Sequence, residues 1–261
     1  MESEENKAVC VWEERMLLHK RLPIPSDVRC ICAVGAGGKT GLLYGLAESY
    51  RSAGRKTLLI TTTKMYQPAD GGMLDRTADE ILAFLEEKGF AVAGTTISGG
   101  KMGPLPPEIL EQVIEKADLV LVEADGSRRL PLKVPERGEP VLLPACDFLI
   151  VVEGMSAVGQ PLGQVCHRAE RAMKILGFSD PKGKTQNVTV EMAAKLSREG
   201  YGRYFETRKG FFFMNQTDCL TWEQIGRLEK EMRGTNTVLG SLKTGKFCLI
   251  GGAGNKEKTE I

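Results

Sequence analysis

The chain alternates between short apolar runs and longer segments in which apolar residues return every three or four positions. Val28 to Val34, Lys56 to Thr63, Phe90 to Ser98, Asp118 to Ala124 and Asp147 to Val152 are runs of the first kind. Short runs of this type, rich in β-branched residues, predict buried strands. Lys39 to Ser52, Ala78 to Lys88 and Pro107 to Lys116 have helical spacing, and Gly54 and Gly89 close the first two. Strands alternating with helices predict βαβ units, hence an α/β fold with a mostly parallel sheet and helices on both faces. Further along the pattern is less regular. It predicts helices over Arg168 to Leu176, Thr189 to Arg198 and Thr221 to Arg233, and strands over Lys209 to Asn215 and Lys246 to Ile250. Near the start, Val11 to Lys20 predicts a short amphipathic helix that LPIPS breaks, because proline fixes φ and removes a donor. There is no internal repeat and no low-complexity linker. The expected organisation is an N-terminal helix and lead-in over 1–27, one α/β domain over 28–250 and a mobile tail over 251–261.

Composition narrows the classes. The 35 basic and 34 acidic side chains leave a formal charge of +1, which argues against non-specific nucleic-acid binding. No apolar run approaches the ~20 residues of a membrane helix. The opening MESEENKAVC is polar and acidic, without signal or transit character, so a cytoplasmic protein is expected. The seven cysteines are odd in number and contain no Cys-x-x-Cys pair, which fits reduced thiols. Cys30 and Cys32 alternate in an apolar run and read as residues on one face of a strand.

The chemistry is concentrated at the ends of the expected strands. AVGAGGKT, Ala33 to Thr40, follows the first of them and opens a helix. It matches the Walker A pattern G-x-x-x-x-G-K-[ST] except that Ala33 stands at the opening glycine. Gly35, Ala36, Gly37 and Gly38 let backbone N–H groups converge on a phosphate, and the helix N-terminus adds donors and dipole. Lys39 is expected to reach the β- and γ-phosphates and Thr40 to hold Mg²⁺. The strand in LVLVEADGS delivers Glu123 and Asp125 on one face at the ligand end of the sheet. Two carboxylates beside a phosphate site imply a metal between them, so Thr40, Glu123 and Asp125 are the candidate Mg²⁺ ligands.

Other residues are candidates for binding. Arg128, Arg129 and Lys133 bring positive charge to the same strand end, suited to phosphate or carboxylate oxygens. Arg128 is a candidate for the γ-phosphate, and Arg129 for a second anionic substrate. Thr61, Thr62, Thr63 and Lys64 close the second strand. His167 and Arg168 follow a glycine-rich loop and are candidate substrate contacts. Asn215 and Asp218 in NQTD stand where GTPases carry N-K-x-D, with Gln216 in place of the lysine, and suggest guanine recognition. ATP and GTP both remain open.

GAGGKT, TTTKM, EADGSRRLPLK, EPVLLPA and HRAE, in this order, resemble the YqeC family, over about Ile31 to Asp218. The resemblance implies a nucleotide-binding protein like the P-loop NTPases of the metal-insertion type. It also implies an accessory or cofactor-biosynthesis role for a selenium-dependent molybdenum hydroxylase. In such relatives an acidic residue after the strand holds Mg²⁺ or couples to cargo, a role that Glu123 or Asp125 could take. Gln216 departs from the guanine pattern. The loop is also similar to the G-T-N-G-K-T loop of the Mur ligases, which use ATP to make an acyl phosphate. The expected function is therefore a Mg²⁺-dependent NTPase acting as a maturation factor. The alternatives are an ATP- or GTP-dependent kinase or ligase for a cofactor precursor, and a non-hydrolysing nucleotide-binding scaffold.

Overall fold

The computed structural model describes residues 9–11 and 17–251. The elements run β1 (Val9–Val11), α1 (Leu18–Arg21), β2 (Cys30–Gly35), α2 (Lys39–Ser52), β3 (Thr57–Thr61), β4 (Met65–Tyr66) and β5 (Met73–Leu74). Then come α3 (Ala78–Lys88), β6 (Phe90–Ile97), β7 (Lys101–Gly103), α4 (Pro107–Lys116), β8 (Leu119–Glu123), β9 (Leu132–Lys133) and β10 (Phe148–Gly154). The remainder is α5 (Leu162–Val165), β11 (Cys166–His167), α6 (Ala169–Leu176), α7 (Val190–Tyr201), β12 (Lys209–Asn215), α8 (Trp222–Met232), β13 (Thr237–Ser241) and β14 (Lys246–Ile250).

The main sheet has the order β1-β14-β13-β12-β10-β2-β8-β3-β6-β7-β4, with β5 beside β6. From β13 to β6 every pairing is parallel, and antiparallel strands are added at both edges. The fold is α/β with a mixed, mostly parallel sheet, as the alternation of apolar runs predicts. The chain leaves β2 for β3 by stepping over β8, and its later strands add on the opposite side through β10. The sheet therefore reverses its winding at β2. In such sheets ligands sit in the crevice outside the C-terminal strand ends at that reversal.

Both faces of β2 are buried, which is why its sequence is apolar at every step. Cys30, Cys32 and Val34 face a core shared with Ile81 of α3, Val113 of α4, Ala172 of α6, Leu196 of α7 and Leu228 of α8. Ile31 and Ala33 face the other core, which Leu42, Leu43, Leu46 and Ala47 of α2 close together with Leu22. The helices thus divide unequally, and α2 is the principal cover of one face. Cys30 and Cys32 do share a face, and the six cysteines with described side chains are free thiols.

Several expectations are corrected. Val11, expected to open a helix, ends β1, and only Leu18–Arg21 of that segment is helical among the described residues. Residues 12–16 of the expected helix and 252–261 of the expected tail lie outside the described residues. Strand β3 stops at Thr61, so Thr62 and Thr63 belong to the turn after it. The sequence pattern predicts no strand at β13, which RGTN precedes and Gly240 interrupts, yet it pairs with β12 and β14. No helix among the described residues is long and apolar enough to cross a membrane.

Candidate functional site

Strand β2 runs two residues past the position where Walker A places its first glycine. Ala33 lies inside the strand, paired with Glu123 of β8 and Ile150 of β10, and is fully buried. A methyl group fits there. The turn begins at Gly35, so the loop is the six-residue GAGGKT rather than the eight-residue form. Gly35 has φ of +90°, and a Cβ on it would lie 2.2 Å from the Val152 carbonyl oxygen. Gly37 has φ of +71°, and its Cβ would lie 2.3 Å from the backbone of Gly154. At both positions the left-handed backbone and the close approach of β10 admit only glycine.

The loop is tied down from three sides. The Ala36 N–H donates to the Val152 carbonyl at 2.7 Å, and the Gly37 N–H to the Leu130 carbonyl at 3.3 Å. Asn215, at the end of β12, donates through Nδ2 to the Gly37 carbonyl at 2.8 Å and accepts from the Leu242 N–H at 3.2 Å. Helix α2 starts at Lys39, and its N-cap, Gly38, makes no side-chain capping bond. The first N–H groups of a helix have no intrahelical acceptor, so this end is a set of donors over a positive dipole.

Lys39 and Thr40 each meet one of the two carboxylates of EAD. Lys39 Nζ donates to the Gly35 carbonyl at 2.6 Å and lies 3.1 Å from Asp125 Oδ1, with the side chain 3% exposed. Thr40 Oγ1 donates to Glu123 Oε2 at 2.6 Å. Asp125 is fully buried and also meets Lys133 Nζ at 2.9 Å, the Gly35 N–H at 3.0 Å and the Tyr201 hydroxyl at 3.5 Å. Asp125 therefore holds two lysines where a metal was expected of it. Burial raises the Glu123 carboxyl above its usual range, against the pull of Lys39 and the hydrogen bond from Thr40.

Three members of this network were missed. Glu153, on β10, is buried, takes the Lys133 N–H on Oε2 at 3.2 Å, and has no hydrogen-bond partner for Oε1 among the described residues. Burial pushes its carboxyl well up, against the bond from the Lys133 N–H. Glu139 accepts Lys133 at 2.9 Å and both terminal nitrogens of Arg168. Burial works against its ionisation, but the bonds from Arg168 and Lys133 outweigh it and hold the carboxyl at about 2. Tyr201 closes the network, its phenol pushed well up by burial and then by Asp125. Glu153 carries the same signal as Glu123, an acid at the end of a buried strand. Glu139 and Tyr201, in a loop and at a helix end, carry none.

The remaining candidates are dispersed. Thr61 Oγ1 donates to the Glu123 carbonyl at 2.9 Å and Thr62 Oγ1 to the Val141 carbonyl at 2.7 Å. The Thr63 N–H donates to Thr61 Oγ1 at 3.1 Å, and Lys64 is exposed. Arg168 is committed to Glu139, and the Arg129 guanidinium stacks over the Tyr66 ring at 4.1 Å. Arg128 is exposed, and His167 is half-buried in β11, paired with Lys133 of β9. Asp218 is exposed on a short 3-10 turn beyond β12. It is not the cap of α8, since Thr221 fills that place in a capping box with Gln224. Among the described residues no three His, Cys, Asp or Glu side chains are grouped to hold a metal ion.

Comparison with known proteins returns one consistent similarity. The family model described as "YqeC protein" matches residues 31–170. The Escherichia coli (strain K12) protein described as "Uncharacterized protein YqeC" is 30% identical over 188 residues, which cover 69% of this chain and 72% of that relative. No solved structure matches the chain.

Proposed function

This chain belongs to the YqeC family, and from that premise and the loop geometry we propose a Mg²⁺-dependent nucleoside-triphosphate-binding protein that hydrolyses its nucleotide. The observation that carries the reading is the pairing of Lys39 and Thr40 with Asp125 and Glu123 at the uncapped N-terminus of α2, at the sheet's reversal. A buried lysine held on an aspartate and a carbonyl beside free helix N–H groups has an anion as its natural alternative partner. On binding, the triphosphate takes Lys39 from Asp125, and Lys133 keeps Asp125 neutralised. Thr40 and Glu123 would hold Mg²⁺, which supplies charge neutralisation at the β- and γ-oxygens. Two protein ligands suit this ion, because Mg²⁺ is usually held by one or two carboxylates together with substrate phosphates.

The family similarity supports the further reading that the nucleotide cycle serves maturation of a selenium-dependent molybdenum hydroxylase. GAGGKT, TTTKM, EADGSRRLPLK, EPVLLPA and HRAE all fall within the matched residues. A second reading, a kinase or ligase acting on a small anionic precursor, is favoured by Arg128, which has no carboxylate partner among the described residues.

The test is thermal stability with Mg-ATP and Mg-GTP. A ligand of the folded state alone adds RT ln(1 + [L]/Kd), about 2.7 kcal/mol at a hundredfold excess over Kd. Wild type should be stabilised and Lys39→Ala should not. Equal stabilisation of both would remove the phosphate-loop reading.

A further inference from the structure

Residues 126–131 form the wall of the crevice facing the phosphate loop. The Leu130 carbonyl takes the Gly37 N–H, and the Pro131 carbonyl takes the Gly154 N–H at 2.8 Å. Immediately before them Arg128 and Arg129 have φ of +53° and +63°. Consecutive left-handed residues other than glycine persist only where the surroundings over-determine them, and they gather at ligand sites. Immediately after them, β9 runs beside β11 in the register Lys133 to His167. One short segment therefore carries Arg128 at the edge of the phosphate loop and continues into the strand beside His167, whose imidazole feels the Arg128 charge.

The charges there are unevenly used. Lys133 is neutralised by Asp125 and Glu139, and Arg168 by Glu139 and Glu136. Arg128 makes no ion pair and no hydrogen bond among the described residues, and neither does either ring nitrogen of His167. Burial first, then Arg168, Lys133 and Arg128, hold the His167 imidazole below its ordinary pKa. At neutral pH it is uncharged, with one N–H to donate and one nitrogen to accept. Arg129 is turned to the Tyr66 ring, 4.1 Å from its centroid.

We propose that Arg128 and His167 form an oxyanion subsite beside the phosphate loop, which takes the phosphate or carboxylate of a second small-molecule substrate. Its placement rests on the loop being a nucleotide site, but its occupancy does not. Arg128 supplies the charge and a planar pair of donors, and His167 supplies the orienting N–H.

Ring-proton NMR of the full chain tests this, because the protein has only two histidines. His19 stacks on Tyr50 at 4.5 Å, next to α2, and serves as the internal control. A His167→Gln variant assigns the two C2–H resonances. Inorganic phosphate and acetate are titrated separately at fixed ionic strength. At least one should shift the His167 resonance saturably and leave that of His19 in place, and the stronger response identifies the class of oxyanion. Arg128→Asn, which tolerates the left-handed backbone, should weaken the response about tenfold, the loss of a charge-assisted hydrogen bond. Lys39→Ala should leave it unchanged. No response to either anion, or a response that survives Arg128→Asn, overturns the subsite. A response lost in Lys39→Ala also overturns it, since the anion is then bound by the loop. Failure of the nucleotide reading would appear separately, in the thermal shifts with Mg-ATP and Mg-GTP.

Discussion

Asp125→Asn is the sharpest test of the network under the loop. The substitution keeps volume and removes the one charge that lies between Lys39 and Lys133, at a side chain with no exposure. Removing one partner of a buried pair typically costs about 3–5 kcal/mol, because an uncompensated charge stays behind. Here Lys133 retains Glu139 at 2.9 Å and the Gly126 carbonyl at 2.8 Å, so it stays neutralised. Lys39 retains only the Gly35 carbonyl. One stranded lysine rather than two places the loss at the lower end, about 3 kcal/mol. For a chain of this size that lowers Tm by roughly 6–12 °C. Because the pair is buried, the loss should be nearly the same in low and high salt. Scanning calorimetry measures it, and Mg-ATP or Mg-GTP should then raise the variant's Tm more than that of wild type. In the variant Lys39 no longer has to leave a carboxylate to meet a phosphate. A Tm within about 2 °C of wild type, roughly half a kilocalorie per mole, would refute the reasoning. So would a nucleotide shift smaller than wild type's in a folded variant, which would make Asp125 a ligand of the metal.

Glu153→Gln tests the buried acid. Its folded pKa is raised, so the folded state holds a proton that the unfolded chain loses above the ordinary glutamate range, and stability drains away as pH rises through that window. The variant should match wild type near pH 4 and exceed it by a growing margin toward pH 8 in thermal unfolding, whereas a constant offset would mean that Glu153 is ionised in the fold. Asp218→Asn tests the base. If its carboxylate takes two guanine N–H bonds, GTP should weaken far more than ATP, and xanthosine triphosphate should gain on GTP, in a titration of both proteins. An unchanged order of preference would mean that the base is read elsewhere, since α8 already has Thr221 as its cap.

The pattern of the chain alone was enough for the fold class and for which residues stand at the strand ends. Runs such as CICAV and LVLVE are apolar at every step because both faces of their strands are covered, and that is legible without coordinates. GAGGKT and EAD could be placed at strand ends, because turn glycines and terminal charges mark where apolar runs stop. Partners were not legible. Lys39 could be assigned to a phosphate, but only the tertiary structure shows it resting on Asp125, 86 positions away in sequence. The loop's true start depended on β2 extending to Gly35, which is decided by its pairing with β10 and not by a motif. Glu139 and Tyr201 join the network from a loop and a helix end, and Asn215 braces the Gly37 carbonyl across the sheet. The physical reason is one of range. Hydrophobic periodicity and turn chemistry act over a few residues, so they can be read in one dimension. Charge neutralisation in a buried site acts between strands that the sheet order brings together, and that order exists only in three dimensions.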